Sequence, residues 1–131
     1  CGLEHAYMRS DVIVMEVSDF EAWVAEQTEG PAGDGAERGE AWAQQFGCQA
    51  CHSLDGSDRI GPTWLGLYES IETLVDGSTV VVDDAYLIES ILDPQATIVE
   101  GYENVVMPPT GASMTEEQIQ DIVEFIESLS E

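Results

Sequence analysis

Two cysteines and a histidine form the most chemically specific cluster in the sequence. Cys48 and Cys51 are separated by two residues, and His52 follows directly. This C-x-x-C-H spacing lets each thiol add to one vinyl group of the same porphyrin, while the imidazole binds the iron. The motif therefore predicts one covalent c-type haem, with His52 as an axial ligand.

Other uses of paired cysteines fit the sequence less well. A disulfide, half a zinc site and a redox dithiol share the C-x-x-C spacing. A zinc site normally needs a second ligand pair, and the sequence has no other Cys pair and no His pair. A thioredoxin-like dithiol would need a βαβ setting, which the pattern does not provide. Covalent haem is the favoured interpretation.

A methionine followed by two prolines is the candidate for the second axial ligand. The prolines after Met107 hold it on a stiff, extended backbone, which suits a thioether that must reach iron opposite His52. Met114 is the competitor because it lies only seven residues later. It adjoins the start of the last predicted helix and is expected to pack there. We predict Met107 as the ligand.

The loop after the motif supplies candidate pocket residues. The carbonyl group of Pro62 can accept a hydrogen bond from the far nitrogen of His52, which would set the tautomer and strengthen the imidazole as a ligand. Arg59 and Trp64 are donors near enough in sequence to reach a haem propionate. Each of the three could equally be an ordinary loop residue.

Helices are the main elements expected to position these residues. The predicted helices run from a capping box at Ser18 to about Gln27, from Asp34, with Glu37 three residues later, to about Phe46, from Asp83 to about Leu92, and from a capping box at Thr115 towards the C-terminus. An Asp-Gly pair predicts a β-hairpin over residues 74–81, and a β-branched run predicts a strand over residues 12–17.

A glycine inside the second predicted helix indicates how two helices meet. Gly39 costs up to about 1 kcal/mol relative to Ala in a helix interior, so a close crossing with another helix is the better explanation. The last helix carries an amphipathic stripe and is the natural partner. The stripe consists of Ile119, Ile122, Val123, Ile126 and Leu129.

Composition indicates one domain with an appendage and excludes some partners. The chain has 131 residues, and three Arg with no Lys face 27 acidic residues, giving a formal charge of −24. Nucleic acid and anionic membranes are poor partners for such a field. A redox partner would need a basic face or an apolar contact, although solubility or adaptation to salt explains the charge equally well.

The chain contains no apolar run of transmembrane length and no signal peptide. Covalent haem implies assembly outside the cytoplasm, so an export signal or membrane anchor is expected upstream of residue 1 or as a removed segment. The chain opens at Cys1 in mid-pattern and is expected to be a soluble fragment. A Gly/Pro-rich linker over residues 28–35 precedes the main domain.

Residues 36–131 resemble a class I cytochrome c: a capped helix, C-x-x-C-H, Gly-Pro, a Met loop and an amphipathic C-terminal helix. The resemblance implies a mainly α fold around a covalent haem, with a small β-hairpin insertion and an N-terminal strand plus helix extension. Three segments are similar to the cytochrome c domain fused to subunit II of certain bacterial haem–copper oxidases, of the caa type. They are residues 76–79, 90–94 and 101–109, the last of which places Tyr102 in the pocket.

The N-terminus is similar to another part of the same subunit. Cys1, His5 and Met8 are soft ligands suited to copper, at intervals of four and three. By resemblance they belong to the last ligand cluster of a dinuclear copper A centre. One Cys cannot make a two-thiolate centre, so no copper is expected here. The resemblance divides the chain into a cupredoxin remnant (1–17), a short helix and linker (18–35), and a cytochrome c domain (36–131).

The function implied by this resemblance is electron transfer at the extracytoplasmic face of a bacterial membrane. The domain would pass electrons from an extracytoplasmic donor protein to copper A, and the remaining domains and subunits of the oxidase would be its partners. It would belong to an oxidoreductase only as part of the complex and would have no catalytic site of its own.

Two alternatives remain open from the sequence. The first is a stand-alone lipoprotein cytochrome anchored through Cys1, which explains that residue but not His5 or Met8. The second is a haem sensor or peroxidase, either of which needs an open or easily vacated iron site. Carbon monoxide binding to the reduced protein discriminates between an open site and a carrier.

Overall fold

The computed structural model describes residues 12–28 and 30–130. The chain separates into two compact units, Cys1–Gly30 and Pro31–Glu131. The boundary lies within the Gly/Pro-rich stretch that the sequence marks as a linker. Among the described residues, no helix is both long enough and apolar enough to cross a membrane. The two units are described separately below.

The first unit contains helix α1 (Val17–Thr28). The strand predicted over residues 12–17 is wrong for the described part, because residues 12–16 have no regular structure. Val12 and Val14 are about nine-tenths exposed. A strand is stable only when a neighbouring strand pairs with its backbone and covers one face, and β-propensity alone does not supply that neighbour.

Helix α1 also begins one residue earlier than predicted. The carbonyl oxygen of Glu16 accepts hydrogen bonds from the backbone N–H groups of Asp19 (3.1 Å) and Phe20 (3.0 Å). Ser18 therefore lies inside the first turn and is not the N-cap, so the capping box predicted there does not form.

The second unit begins with helix α2 (Gly35–Gln45). Its capping box forms as predicted: the Asp34 side chain accepts from the Glu37 N–H at 3.0 Å, and the Glu37 side chain accepts from the Asp34 N–H at 3.3 Å. Gly47 follows the helix in the left-handed conformation with φ 76°, which a glycine adopts at little cost. The chain then turns directly into the C-x-x-C-H motif.

A two-stranded antiparallel hairpin follows the loop after the motif. Strands β1 (Ile71–Thr73) and β2 (Thr79–Val81) pair with Ile71 opposite Val81. Gly77 supplies the positive φ of 82° that the turn requires. The predicted hairpin is confirmed, although its first strand lies before the predicted start at residue 74.

Two further helices complete the unit. Helix α3 (Asp84–Leu92) is capped by Asp83, whose side chain accepts from the Tyr86 N–H at 2.9 Å. Helix α4 (Glu116–Ser128) has the predicted capping box between Thr115 and Gln118. Both predicted helices are confirmed, because capping and amphipathic spacing are local signals.

The core forms where α2 crosses α4. A Cβ atom on Gly39 would lie 1.9 Å from the backbone carbonyl oxygen of Asp121, so only a glycine permits this approach. The predicted stripe of α4 is buried, apart from the partly buried Leu129. The prediction that Gly39 marks the crossing with the last helix is confirmed.

A buried carboxylate lies at the same crossing, and the sequence pattern did not reveal it. Asp121 is 3% exposed and accepts from Arg38 Nε at 2.9 Å and from Trp42 Nε1 at 3.2 Å. The Asp121 hydrogen bond raises the pKa of Arg38 above its usual value. Arg38 also donates to the carbonyl oxygen of Gly33 at 3.0 Å, so its side chain connects the segment before α2 to α4.

The Gly39 contact generates a stability prediction. In an open helix Gly→Ala would gain about 1 kcal/mol, but here the new methyl group would meet backbone. We expect Gly39→Ala to lower the free energy of unfolding by about 1–3 kcal/mol in urea titrations. Glu40→Ala, at the neighbouring exposed position, is the control and should change it by less than about 0.5 kcal/mol. A stabilised Gly39→Ala protein would contradict the tight crossing.

Candidate functional site

The C-x-x-C-H motif folds into one compact turn. Residues Cys48–Ala50 form a short 3-10 helix. The backbone N–H groups of Cys51 and His52 both donate to the carbonyl oxygen of Cys48, at 3.1 and 3.0 Å. Both thiols are half-buried and free of disulfide bonds. The turn thus brings two thiols and one imidazole together within five residues.

The thiols do not resemble an activated redox pair. Burial raises the pKa of the Cys48 thiol, whereas reactive dithiols and thiolate metal ligands have lowered pKa values. Among residues 12–28 and 30–130, no cluster of three or more His, Cys, Asp or Glu side chains could hold a metal ion. A zinc site or a redox dithiol is therefore disfavoured in the described part of the chain.

His52 is held from three sides. Its Nδ1–H donates to the carbonyl oxygen of Pro62 at 2.8 Å, and its ring stacks on Trp64 with centroids 5.1 Å apart. A Cβ atom on Gly61 would lie 2.7 Å from Cε1 of the ring, so glycine is needed there. The hydrogen bond to the Pro62 carbonyl group is the one expected from the sequence.

This environment keeps the imidazole neutral. Burial lowers the pKa of His52, and the hydrogen bond to Pro62 opposes that shift only in part. With the proton on Nδ1, the lone pair lies on Nε2 and is available to a metal. The hydrogen bond from Nδ1 to the Pro62 carbonyl oxygen therefore determines that Nε2 is the nitrogen that can act as a ligand.

A mainly apolar cavity of about 880 Å³, counted to its open mouth, lies beside this ring. Its buried walls include Trp64, Leu87 and Ile126. His52 and Met107 both line it.

The structure treats the two candidate methionines differently. Met107 is half-buried in an irregular segment and lines the cavity, as does Tyr102. Met114 is not among the lining residues and packs against the hydrophobic core next to α4. Only Met107 shares the cavity with His52, which supports the choice made from the Met-Pro-Pro sequence.

Of the predicted pocket residues, Pro62, Trp64 and Tyr102 line the cavity and Arg59 does not. Its exposed side chain donates through Nη1 to the carbonyl oxygen of Gln49 at 2.8 Å. The contact of Arg59 with a haem propionate stays a prediction.

One wall of the cavity escaped the sequence analysis. The hairpin pairs with the later loop: Leu74 forms an isolated antiparallel bridge with Val99, and Glu100 N–H donates to the carbonyl oxygen of Thr73 at 2.8 Å. This contact brings lining residues from both segments together. These residues are Glu72 from the hairpin and Ile98 and Val99 from the later loop. Tyr86 of α3 lines the same cavity. No local pattern predicts a contact over this chain separation.

The donor set fits a c-type haem. An imidazole with an available Nε2 and a thioether line one apolar cavity, and two free thiols stand just before the imidazole in the chain. Together these groups match the attachment and ligation chemistry of that cofactor. Cys48 and Cys51 would carry the thioethers, and His52 and Met107 would ligate the iron. The predicted copper ligands Cys1, His5 and Met8 lie outside the described residues.

Comparison with known proteins agrees with this geometry. Residues 36–130 match the family described as Cytochrome c. The chain is also similar to the protein named cytochrome c oxidase subunit 2 from Alkalihalophilus pseudofirmus, with 28% identity over 135 residues. The similarity covers 98% of this chain and 36% of that relative, so the chain spans little more than a third of the relative's length.

The close approach of Gly61 to the His52 ring predicts that a side chain at position 61 lowers the stability of the protein. We expect Gly61→Ala to lower the free energy of unfolding of the haem-loaded protein by about 1–3 kcal/mol, because the methyl group would press on His52. Leu65→Ala, at an exposed position in the same loop, should cost less than about 1 kcal/mol. Equal stability of the Gly61→Ala and parent proteins in urea would show that the ring is not confined.

Proposed function

The chain belongs to the cytochrome c family, and from that premise we propose that it is a His/Met-ligated electron carrier that serves a terminal oxidase. Electron transfer is the activity that the family implies. The observation that carries the His/Met proposal is that His52 and Met107 line one apolar cavity. The oxidase as partner rests on the similarity to a protein named cytochrome c oxidase subunit 2.

Each residue of the site has a distinct part in this proposal. When bound, the haem supplies a one-electron couple. His52 offers Nε2 to the iron because the Pro62 carbonyl group holds the proton on Nδ1. Met107 offers a thioether, which raises the reduction potential. Trp64 and the aliphatic walls exclude water, and two protein ligands leave no position for a substrate.

The finer proposal states where the domain acts and in which direction electrons pass through it. The domain accepts electrons from an extracytoplasmic donor protein and passes them to the copper A centre of a haem–copper oxidase, as a part of its subunit II. It contributes to an oxidoreductase only within that complex. Cys1, His5 and Met8 are proposed as remnants of the copper ligands. The similarity supports this because it extends over 98% of the chain and is not limited to residues 36–130.

The axial ligand proposal predicts a contrast between two methionine variants. We expect Met107→Ala to lose the near-infrared band of Met-ligated ferric haem, to lower the potential and to let the reduced protein bind carbon monoxide at neutral pH. Met114→Ala should retain the band and the potential and bind no carbon monoxide, because Met114 packs on the core. The opposite pattern, or ready carbon monoxide binding by the parent protein, would overturn the carrier proposal.

The oxidase proposal has a separate test. Stopped-flow mixing of the ferrous protein with an oxidised copper A oxidase should show second-order electron transfer whose rate depends on ionic strength, because the chain carries a formal charge of −24. Apocytochrome lacking haem is the control. Absence of transfer at every salt concentration would rule out this partner and leave the carrier function intact.

A further inference from the structure

The hairpin directs an acidic side chain into the haem cavity. Glu72 is the middle residue of β1, is half-buried and lines the cavity. It also lines an adjoining polar groove of about 660 Å³. Its carboxylate therefore belongs to the wall between the two spaces.

The orientation of β1 is the reverse of what hydrophobicity favours. Ile71 is 70% exposed and Thr73 is exposed, while the charged residue between them faces inward. Successive strand residues point to opposite faces, so a shift of one residue would bury Ile71 and expose Glu72. Cross-strand pairing with β2 and the bridge from Leu74 to Val99 hold the observed register. An inward carboxylate in an apolar site indicates a functional role.

Within the part of the chain that the structure describes, no cationic side chain pairs with this carboxylate. Ser70 Oγ donates to Glu72 Oε1 at 2.9 Å. No Arg or Lys among residues 12–28 and 30–130 lines the cavity or the groove. The other titratable groups that face these two spaces are His52, Tyr86 and Tyr102 in the cavity, and Asp58, Glu100 and Tyr102 in the groove. Burial raises the pKa of Tyr86, and the charge of Glu72 adds to that effect.

We propose that the carboxylate of Glu72 lowers the reduction potential of the haem, because it stabilises the oxidised iron more than the reduced iron. The inference rests on the proposed haem function. Oxidised iron carries one more positive charge, so a nearby carboxylate stabilises it more, and a partly buried charge is screened less than a surface one. Glu72 thereby opposes Met107, which raises the potential.

The test compares isosteric variants of the haem-loaded chain. Potentiometric titrations at neutral pH should show a positive shift of the potential of Glu72→Gln relative to the parent protein. The haem's own carboxylates are present in every variant. Glu100→Gln, in the groove but not the cavity, should shift less.

The outcomes separate this inference from the function on which it rests. If the protein incorporates haem and transfers electrons, but Glu72→Gln has the potential of the parent, the role of Glu72 is refuted. Equal shifts for Glu72→Gln and Glu100→Gln would also refute it, because general surface charge would then explain the effect. Failure of the parent chain to bind haem would instead refute the proposed function.

Discussion

The packing of the site depends on the contact between Gly39 and the backbone of α4. It brings α2 and α4 so close that any Cβ atom would collide with a carbonyl group. The same crossing places Phe125 beside Gly39, and the Phe125 ring meets Trp64 edge-on at 6.2 Å. Trp64 in turn stacks on His52. A continuous chain of packed groups therefore connects the helix crossing to the His52 imidazole, and close-packed interiors transmit small displacements along such a chain.

The distribution of charged side chains is a second feature of this site. The chain has few cations, and the two in the described part are engaged away from the cavity. Arg38 pairs with the buried Asp121, and Arg59 donates to the backbone of Gln49. The cavity wall therefore carries the carboxylate of Glu72 without a compensating charge. In the two proposals above, the thioether raises the reduction potential of the haem and the carboxylate lowers it. The hairpin would then adjust the potential independently of the axial ligands.

Local signals explain which predictions succeeded. The capping boxes of α2 and α4 and the apolar stripe of α4 depend on residues three or four apart, and they formed as expected. The capping box predicted at Ser18 did not form, because α1 begins at Val17. The strand at residues 12–17 failed because strand formation depends on a partner that no local pattern supplies. The hydrogen bond from Arg59 to the carbonyl oxygen of Gln49 was likewise not indicated by any local pattern. The lining by Tyr86 and Val99 was not predicted because it depends on contacts across distant parts of the chain.

The sequence by itself determined the attachment chemistry, since two thiols and an imidazole within five residues leave little choice of cofactor. It also determined the capped helices and the glycine at their crossing. Only the tertiary structure decided that the Pro62 carbonyl group meets His52, that Met107 rather than Met114 shares its cavity, and that Glu72 faces inward. These outcomes required long-range packing, because the direction of a side chain is set by the neighbours that folding brings to it and not by the residues beside it in the chain.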